Sequence, residues 1–125
     1  MVLLHEGLTK EIIAACFQIH NELGTGYLES VYEKALLIAL QERRIEAHAQ
    51  VPIDVTFHGQ VVGQFFADIL IEDLVIIELK TVTHLLSVHK SQLINYLKAT
   101  GIDVGLLVNF HGTKVEYARC YRPNN

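Results

Sequence analysis

From Thr9 onward, apolar residues recur at spacings of three and four. Ile12, Ile13, Cys16, Phe17, Ile19 and Leu23 predict an amphipathic helix, with Thr9 as its candidate N-cap and Gly24 as its stop. After the break Gly24–Tyr27, a second helix is predicted over Glu29–Arg44. Val31, Ala35, Leu36, Ile38, Ala39 and Leu40 give it a broad apolar face, and Glu42, Arg43 and Arg44 close it in charge. The period then changes to two. Val51, Ile53, Val55 and Phe57 alternate with Pro52, Asp54 and Thr56, the pattern of a half-buried strand. Pro52 puts that strand at a sheet edge or marks its start. A turn at Phe57–Gln60 leads to Val61–Ile71, and Glu72-Asp73-Leu74 leads to Val75–Lys80, so the three strands read as an antiparallel meander. A third helix is predicted over Val88–Thr100, with Leu93, Ile94 and Leu97 inward, Ser87 as cap and Gly101 as stop. Val104–Phe110 is almost continuously apolar, which suits a strand buried on both faces, and Val115–Tyr121 is the last strand.

The predicted order is α-α-β-β-β-α-β-β, an α/β sandwich with a mixed sheet. The helix between Lys80 and Val104 is a crossover long enough for its flanking strands to pair in parallel.

The segment Val75–Lys80 carries an anomaly. Glu78 and Lys80, two apart, share one face of a strand whose other residues are apolar. A two-residue loop before it would mix charge and aliphatic residues on both faces of the hairpin. A three-residue loop, Glu72–Leu74, opposes Asp68 to Glu78 and Leu70 to Ile76. Ala67, Ile69, Ile71, Val75, Ile77 and Leu79 then form one apolar face, and Phe66, Asp68, Leu70, Ile76, Glu78 and Lys80 the other. That register is favoured because a slip of one would bury charge on the packed face. It also sets two carboxylates side by side, which is destabilising unless a cation relieves them. Mg²⁺ is commonly held by one or two carboxylates and keeps its waters for chemistry. A solvated sheet face, or an ion pair with Lys80, also accounts for the same pattern.

Composition narrows the classes. The chain has 125 residues, half of them hydrophobic, which suits one domain over 1–125 with its own core. No apolar run reaches the ~18 residues of a membrane span. The start, with His5, Glu6 and Lys10, is unlike a signal peptide. Cys16 and Cys120 lie far apart in apolar patterns and read as reduced core thiols of a cytoplasmic protein. The net charge of −4 argues against a non-specific nucleic-acid coat protein, but not against an enzyme acting on phosphodiesters through a carboxylate-bound ion. The seven histidines form no Cys/His ligand cluster, so structural zinc is not expected. Gly24 and Gly26 are not followed by a phosphate-loop pattern.

Asp68 followed by Glu78-Leu79-Lys80 resembles the catalytic pattern of the PD-(D/E)XK nuclease superfamily, with Phe66-Ala67-Asp68 standing where Pro-Asp often stands. Gly26-x-x-Glu29-x-x-Tyr32 resembles the small bacterial and archaeal GxxExxY proteins, a branch of that superfamily. So do His89-x-x-Gln92-x-x-x-Tyr96-Leu97 and Gly105–Phe110. The resemblance runs from about Thr9 to Arg122. It implies a restriction-endonuclease-like α-β-β-β-α-β sandwich with a mixed central sheet and an additional N-terminal helix. It implies a metal-dependent nuclease that hydrolyses phosphodiester bonds of nucleic acid with Mg²⁺ (or Mn²⁺), with DNA favoured over RNA as the substrate. Asp68, Glu78 and Glu29 would hold the metal, Lys80 would be the catalytic lysine, and Gln92 would lie beside it. Tyr32, His89 and Tyr96 are candidates for substrate contact or for support of the site. Glu29 also suits a plain helix N-terminus and Tyr32 a packing aromatic. A non-catalytic nucleic-acid-binding or protein-interaction module on the same fold is the alternative. A homodimer or a protein partner fits either reading.

Overall fold

The computed structural model describes residues 3–124. Met1 and Val2, from the stretch weighed as a leader, and Asn125 of the polar tail lie outside the described residues. The elements follow the expected order: α1 (Glu6–Leu23), α2 (Glu29–Glu42), β1 (Ala47–Phe57), β2 (Gln60–Ile71), β3 (Val75–Lys80), α3 (Ser87–Thr100), β4 (Val104–Asn109) and β5 (Glu116–Tyr121). They build one sheet in the order β1-β2-β3-β4-β5. Only the β3–β4 pair, joined through α3, is parallel; the other neighbours are antiparallel. Pro52 lies on the edge strand β1, where its missing N–H costs the ladder least. Every residue of β4 is buried, in keeping with its unbroken apolar run. Among the described residues no helix is long and apolar enough to cross a membrane.

Two cores sandwich the sheet. On one face Ile12, Cys16 and Ile19 of α1 and Tyr32, Leu36 and Leu40 of α2 pack on Ile69, Ile71, Val75, Ile77, Leu79 and the Val104–Leu106–Val108 row of β4. On the other, Leu93, Tyr96 and Leu97 of α3 pack on Ile53, Ala67, Ile76, Leu107 and Cys120. Both cysteines are buried free thiols.

Several expected boundaries move. Thr9 is not a cap but a buried residue inside α1, its hydroxyl donating to the Glu6 carbonyl at 3.1 Å and accepting from the Arg119 guanidinium. α2 stops at Glu42, because Arg44 takes a left-handed conformation (φ 60°) and the Ile45 N–H closes on the Leu40 carbonyl at 2.9 Å. Leu86, not Ser87, caps α3, and the His89 imidazole supplies the acceptor, taking the Leu86 N–H on Nδ1 at 3.0 Å. β1 begins at Ala47 rather than Val51.

The larger correction concerns Ala67. It does not share a face with Ile69, because the β1–β2 ribbon changes face between them. Gln50 adopts φ 53°, and the pairing passes from Ala49↔Ile69 to Val51↔Ala67 without a Gln50–Asp68 pair. Below this kink the ribbon lines the α1/α2 core; above it Ile53 and Ala67 line the α3 core. Strand alternation cannot register such a kink, since positive φ at a glutamine carries no composition signal.

Gly105 faces α3. A Cβ added there would meet Leu93 side-chain carbons at 2.9 Å, and Leu93 is fully buried, so the packing around it must shift. Gly105→Ala should therefore destabilise the fold by about 1–3 kcal/mol. Chemical denaturation of the two proteins measures it, and equal midpoints would show that the helix gives way freely.

Candidate active site

The β2–β3 hairpin sets the site. Its turn uses left-handed residues at Glu72 (φ 53°) and Asp73 (φ 55°), closed by the Leu74 N–H on the Ile71 carbonyl at 2.9 Å. The ladder runs Ile71↔Val75, Leu70↔Ile76, Ile69↔Ile77. Continued by one step, this register sets Asp68 against Glu78. There the backbone ladder ends and the side chain takes over, Asp68 Oδ2 accepting the Leu79 N–H at 2.8 Å.

Glu78 is buried, 6% exposed, in the middle of the sheet, and its Oε1 has no hydrogen-bond partner. Burial first, then the neighbouring Asp68, push its carboxyl up to about 9 against the opposing pull of Lys80. Lys80 is half-buried at the strand end, where the Phe110 N–H donates to its carbonyl at 2.9 Å. From α3, Gln92 Nε2 donates to the Tyr96 hydroxyl at 3.1 Å. Burial raises the Tyr96 phenol above its ordinary value, with a contribution from the charge of Glu78, so it is protonated at neutral pH.

On the other side of Asp68, a cleft of about 150 Å³ is lined by Glu29, Ser30, Glu33, Gln50 and Leu79. Glu29 opens α2 and is exposed in this cleft. The Gly26-x-x-Glu29-x-x-Tyr32 pattern has a local rationale. Gly26 takes φ 102°, which side chains rarely adopt. Tyr32 is fully buried, stacks on Phe110 with centroids 4.4 Å apart, and donates its hydroxyl to the Gly24 carbonyl at 2.7 Å. The tyrosine thus holds the loop that delivers Glu29 and does not line the cleft.

Two residues near Asp68 were not foreseen. Glu33 accepts from Gln50 Nε2 at 2.7 Å, and the same amide lies 3.5 Å from Asp68 Oδ1. Glu33 follows Glu29 at i+4 on α2, a spacing that would have marked it. Nothing in the sequence marks Gln50, which reaches Asp68 only because of the kink.

The structure therefore brings together Asp68, Glu78 and Lys80, with Gln92 and Tyr96 on the α3 side and Glu29 across the Asp68 cleft. His89 caps α3. Among the described residues no three Asp, Glu, His or Cys side chains gather closely enough to form a complete metal cage. The donor set still suits a divalent cation. Two adjacent carboxylates, one with a buried oxygen that nothing satisfies, match an ion that takes one or two carboxylates and keeps waters in its remaining positions.

An α/β sandwich with this mixed sheet, carrying two carboxylates and a lysine at the end of its central strands, is a restriction-endonuclease-like fold. Residues 6–120 match the PD-(D/E)XK nuclease superfamily, and the chain belongs to it. Nucleases of this superfamily generally depend on divalent metal. Among solved structures, the crystal structure of SSO0001 is similar over 97% of this chain, with TM-score 0.62 and 23% identity; the match spans 61% of that longer chain. An alkaline exonuclease from Laribacter hongkongensis is similar over 98% of this chain and 73% of its own, with TM-score 0.56 and 13% identity. At these identities the likeness is one of fold. No curated protein matches the sequence.

Glu78 also sets a pH dependence. A carboxyl raised from the usual 4.5 to about 9 on folding contributes stability that is complete below the unfolded value and lost as pH rises through the folded one. In EDTA, wild-type protein should melt at progressively lower temperature as pH climbs from about 5 to about 9. Glu78→Gln should flatten that trend and melt higher at the alkaline end. Parallel trends in the two proteins would mean that Glu78 is not the group responsible.

Proposed function

We propose that the chain is a divalent-metal-dependent nuclease of the GxxExxY branch, with Mg²⁺ or Mn²⁺ as its ion and DNA as its substrate. The observation that carries the reading is the unsatisfied buried oxygen of Glu78 beside Asp68. A packed domain bears such a cost rarely, and functional sites are where it is borne.

Asp68 and Glu78 would hold the ion, with Glu29, across the cleft, reaching it through water. When bound, a divalent ion polarises the scissile phosphate and makes bound water more acidic. Asp68 keeps its geometry because the Leu79 N–H fixes Oδ2, while Oδ1 lies 3.5 Å from the Gln50 amide and would be the oxygen offered to an ion. Lys80 stabilises charge developing on the phosphate or takes the proton of the attacking water. Gln92, tied to Tyr96, orients the lysine or that water. Two free buried thiols fit a reducing, cytoplasmic setting. A second copy or a protein partner would widen the small surface available to nucleic acid.

Purified protein should cleave DNA when Mg²⁺ or Mn²⁺ is added and stop in EDTA. Asp68→Ala, Glu78→Ala and Lys80→Ala should each slow cleavage by about 10²-fold or more. Linear, branched and single-stranded DNA and RNA, each assayed with both ions, cover the substrate forms. A wild-type protein that binds nucleic acid but cuts none of them would be a binding module on a nuclease fold.

A further inference from the structure

The kink at Gln50 has a second effect: it swings the outer half of the β1–β2 ribbon over α3. Between them lies a groove of about 880 Å³, in the size range of small-molecule sites. Phe65 and Tyr96 form its aromatic wall, their ring centroids 5.8 Å apart and tilted by 40°. Phe65 is 43% exposed, so part of its side chain is open to the groove. Gly63, its neighbour on the same face of the strand, leaves room for the ring: a Cβ there would come within 3.0 Å of Phe65. Thr56, Ser91 and Asn95 offer hydrogen-bond donors and acceptors, and the charges of Lys98 and Asp54 oppose each other in the lining. The groove borders the candidate site: Gln92, which donates to the Tyr96 hydroxyl at 3.1 Å, and Tyr96 itself both line it.

Resting on the nuclease reading of those carboxylates, we infer that this groove accepts the unpaired bases of a single-stranded nucleic-acid segment next to the cleavage point. Aromatic faces with a hydrogen-bonding rim are what exposed bases bind, stacking on the ring and presenting their edges to polar side chains. Charge points the same way. Ten Lys and Arg stand against fourteen Asp and Glu, and Lys10, Arg43 and Arg122 are already in ion pairs. A duplex is held chiefly through many phosphate contacts, which this chain is poorly supplied to make. Stacking needs far fewer cations.

The test is equilibrium binding in EDTA, with fluorescence anisotropy of an end-labelled oligothymidylate, free or paired with oligoadenylate. The single strand should bind at least about ten-fold tighter than the duplex, with a shallow salt dependence. Phe65→Ala should weaken single-strand binding about ten-fold, and Phe65→Trp should keep it. Phe65→Leu retains the packing against the ribbon but not the ring face, so it should lose binding as the alanine variant does even if alanine loosens the hairpin. Binding indifferent to both variants, or duplex bound as tightly as single strand, overturns the assignment. So does absence of binding in a protein that forms a dimer dissociated by Phe65→Ala, which would give the groove to a second copy of the chain. The two readings fail separately. Phe65-dependent binding in a protein that never cuts removes the nuclease and keeps the groove. Metal-dependent cutting, with single-strand binding indifferent to Phe65, does the reverse.

Discussion

The hydrogen bond from the Leu79 N–H to Asp68 Oδ2 stands where a strand ladder would otherwise continue. Beyond Ile69 and Ile77 the two backbones part, and a buried N–H of β3 would be orphaned without an acceptor. Asp68 supplies it from a side chain. The ribbon is thereby free to kink at Gln50, while β3 stays fully bonded to β4 through Lys80↔Asn109. The carboxylate that stitches the gap is also held rigid against Glu78, on sheet backbone rather than on a loop. Without that acceptor the Leu79 N–H would be left unpaired at the end of the ladder.

Much of this was legible in the chain. The alternation of Val75–Leu79, the length of the Glu72–Leu74 loop and the cost of burying charge were enough to oppose Asp68 to Glu78, and the ladder keeps that register. Pro52 marked an edge, and the unbroken Val104–Asn109 run marked a strand covered on both sides. What stayed hidden shares one cause. Ala67 changes face, Gln50 reaches Asp68, and Phe65 turns toward Tyr96 because one non-glycine residue sits at positive φ. Periodicity assumes regular dihedrals, so a single irregular residue misplaces everything beyond it. Helix ends moved for a related reason: Leu86 offers no side-chain oxygen, and its cap comes from His89 three residues on.

The residues of the Gly26–Tyr32 motif divide their work in a way that a motif alone does not reveal. Gly26 supplies backbone freedom, Tyr32 supplies packing and a hydroxyl for Gly24, and Glu29, with Ser30 beside it, faces the cleft. A tyrosine in such a pattern invites a chemical role. Its burial and its satisfied hydroxyl assign it a mechanical one, fixing where the helix begins and so where its first carboxylate points.

Glu78 and the groove beside it reflect the same economy of charge. A net negative chain that places carboxylates inside its sheet repels the polyanion it would act on, and a bound cation reverses that sign only locally. Attraction over the rest of the surface must then come from something other than Coulomb forces. Phe65, half-exposed along a ribbon that also shows Phe57, Val61, Val62 and Phe66 to solvent, supplies apolar and aromatic surface where phosphate-binding lysines would otherwise be expected. Stacking acts over the width of one ring, so it selects a strand whose bases are already free rather than a duplex that must be opened. The register of the β2–β3 hairpin sets Asp68 against Glu78, and the kink at Gln50 lays that aromatic wall over α3 beside them, so the carboxylates and the neighbouring groove are placed by two features of the same strand β2.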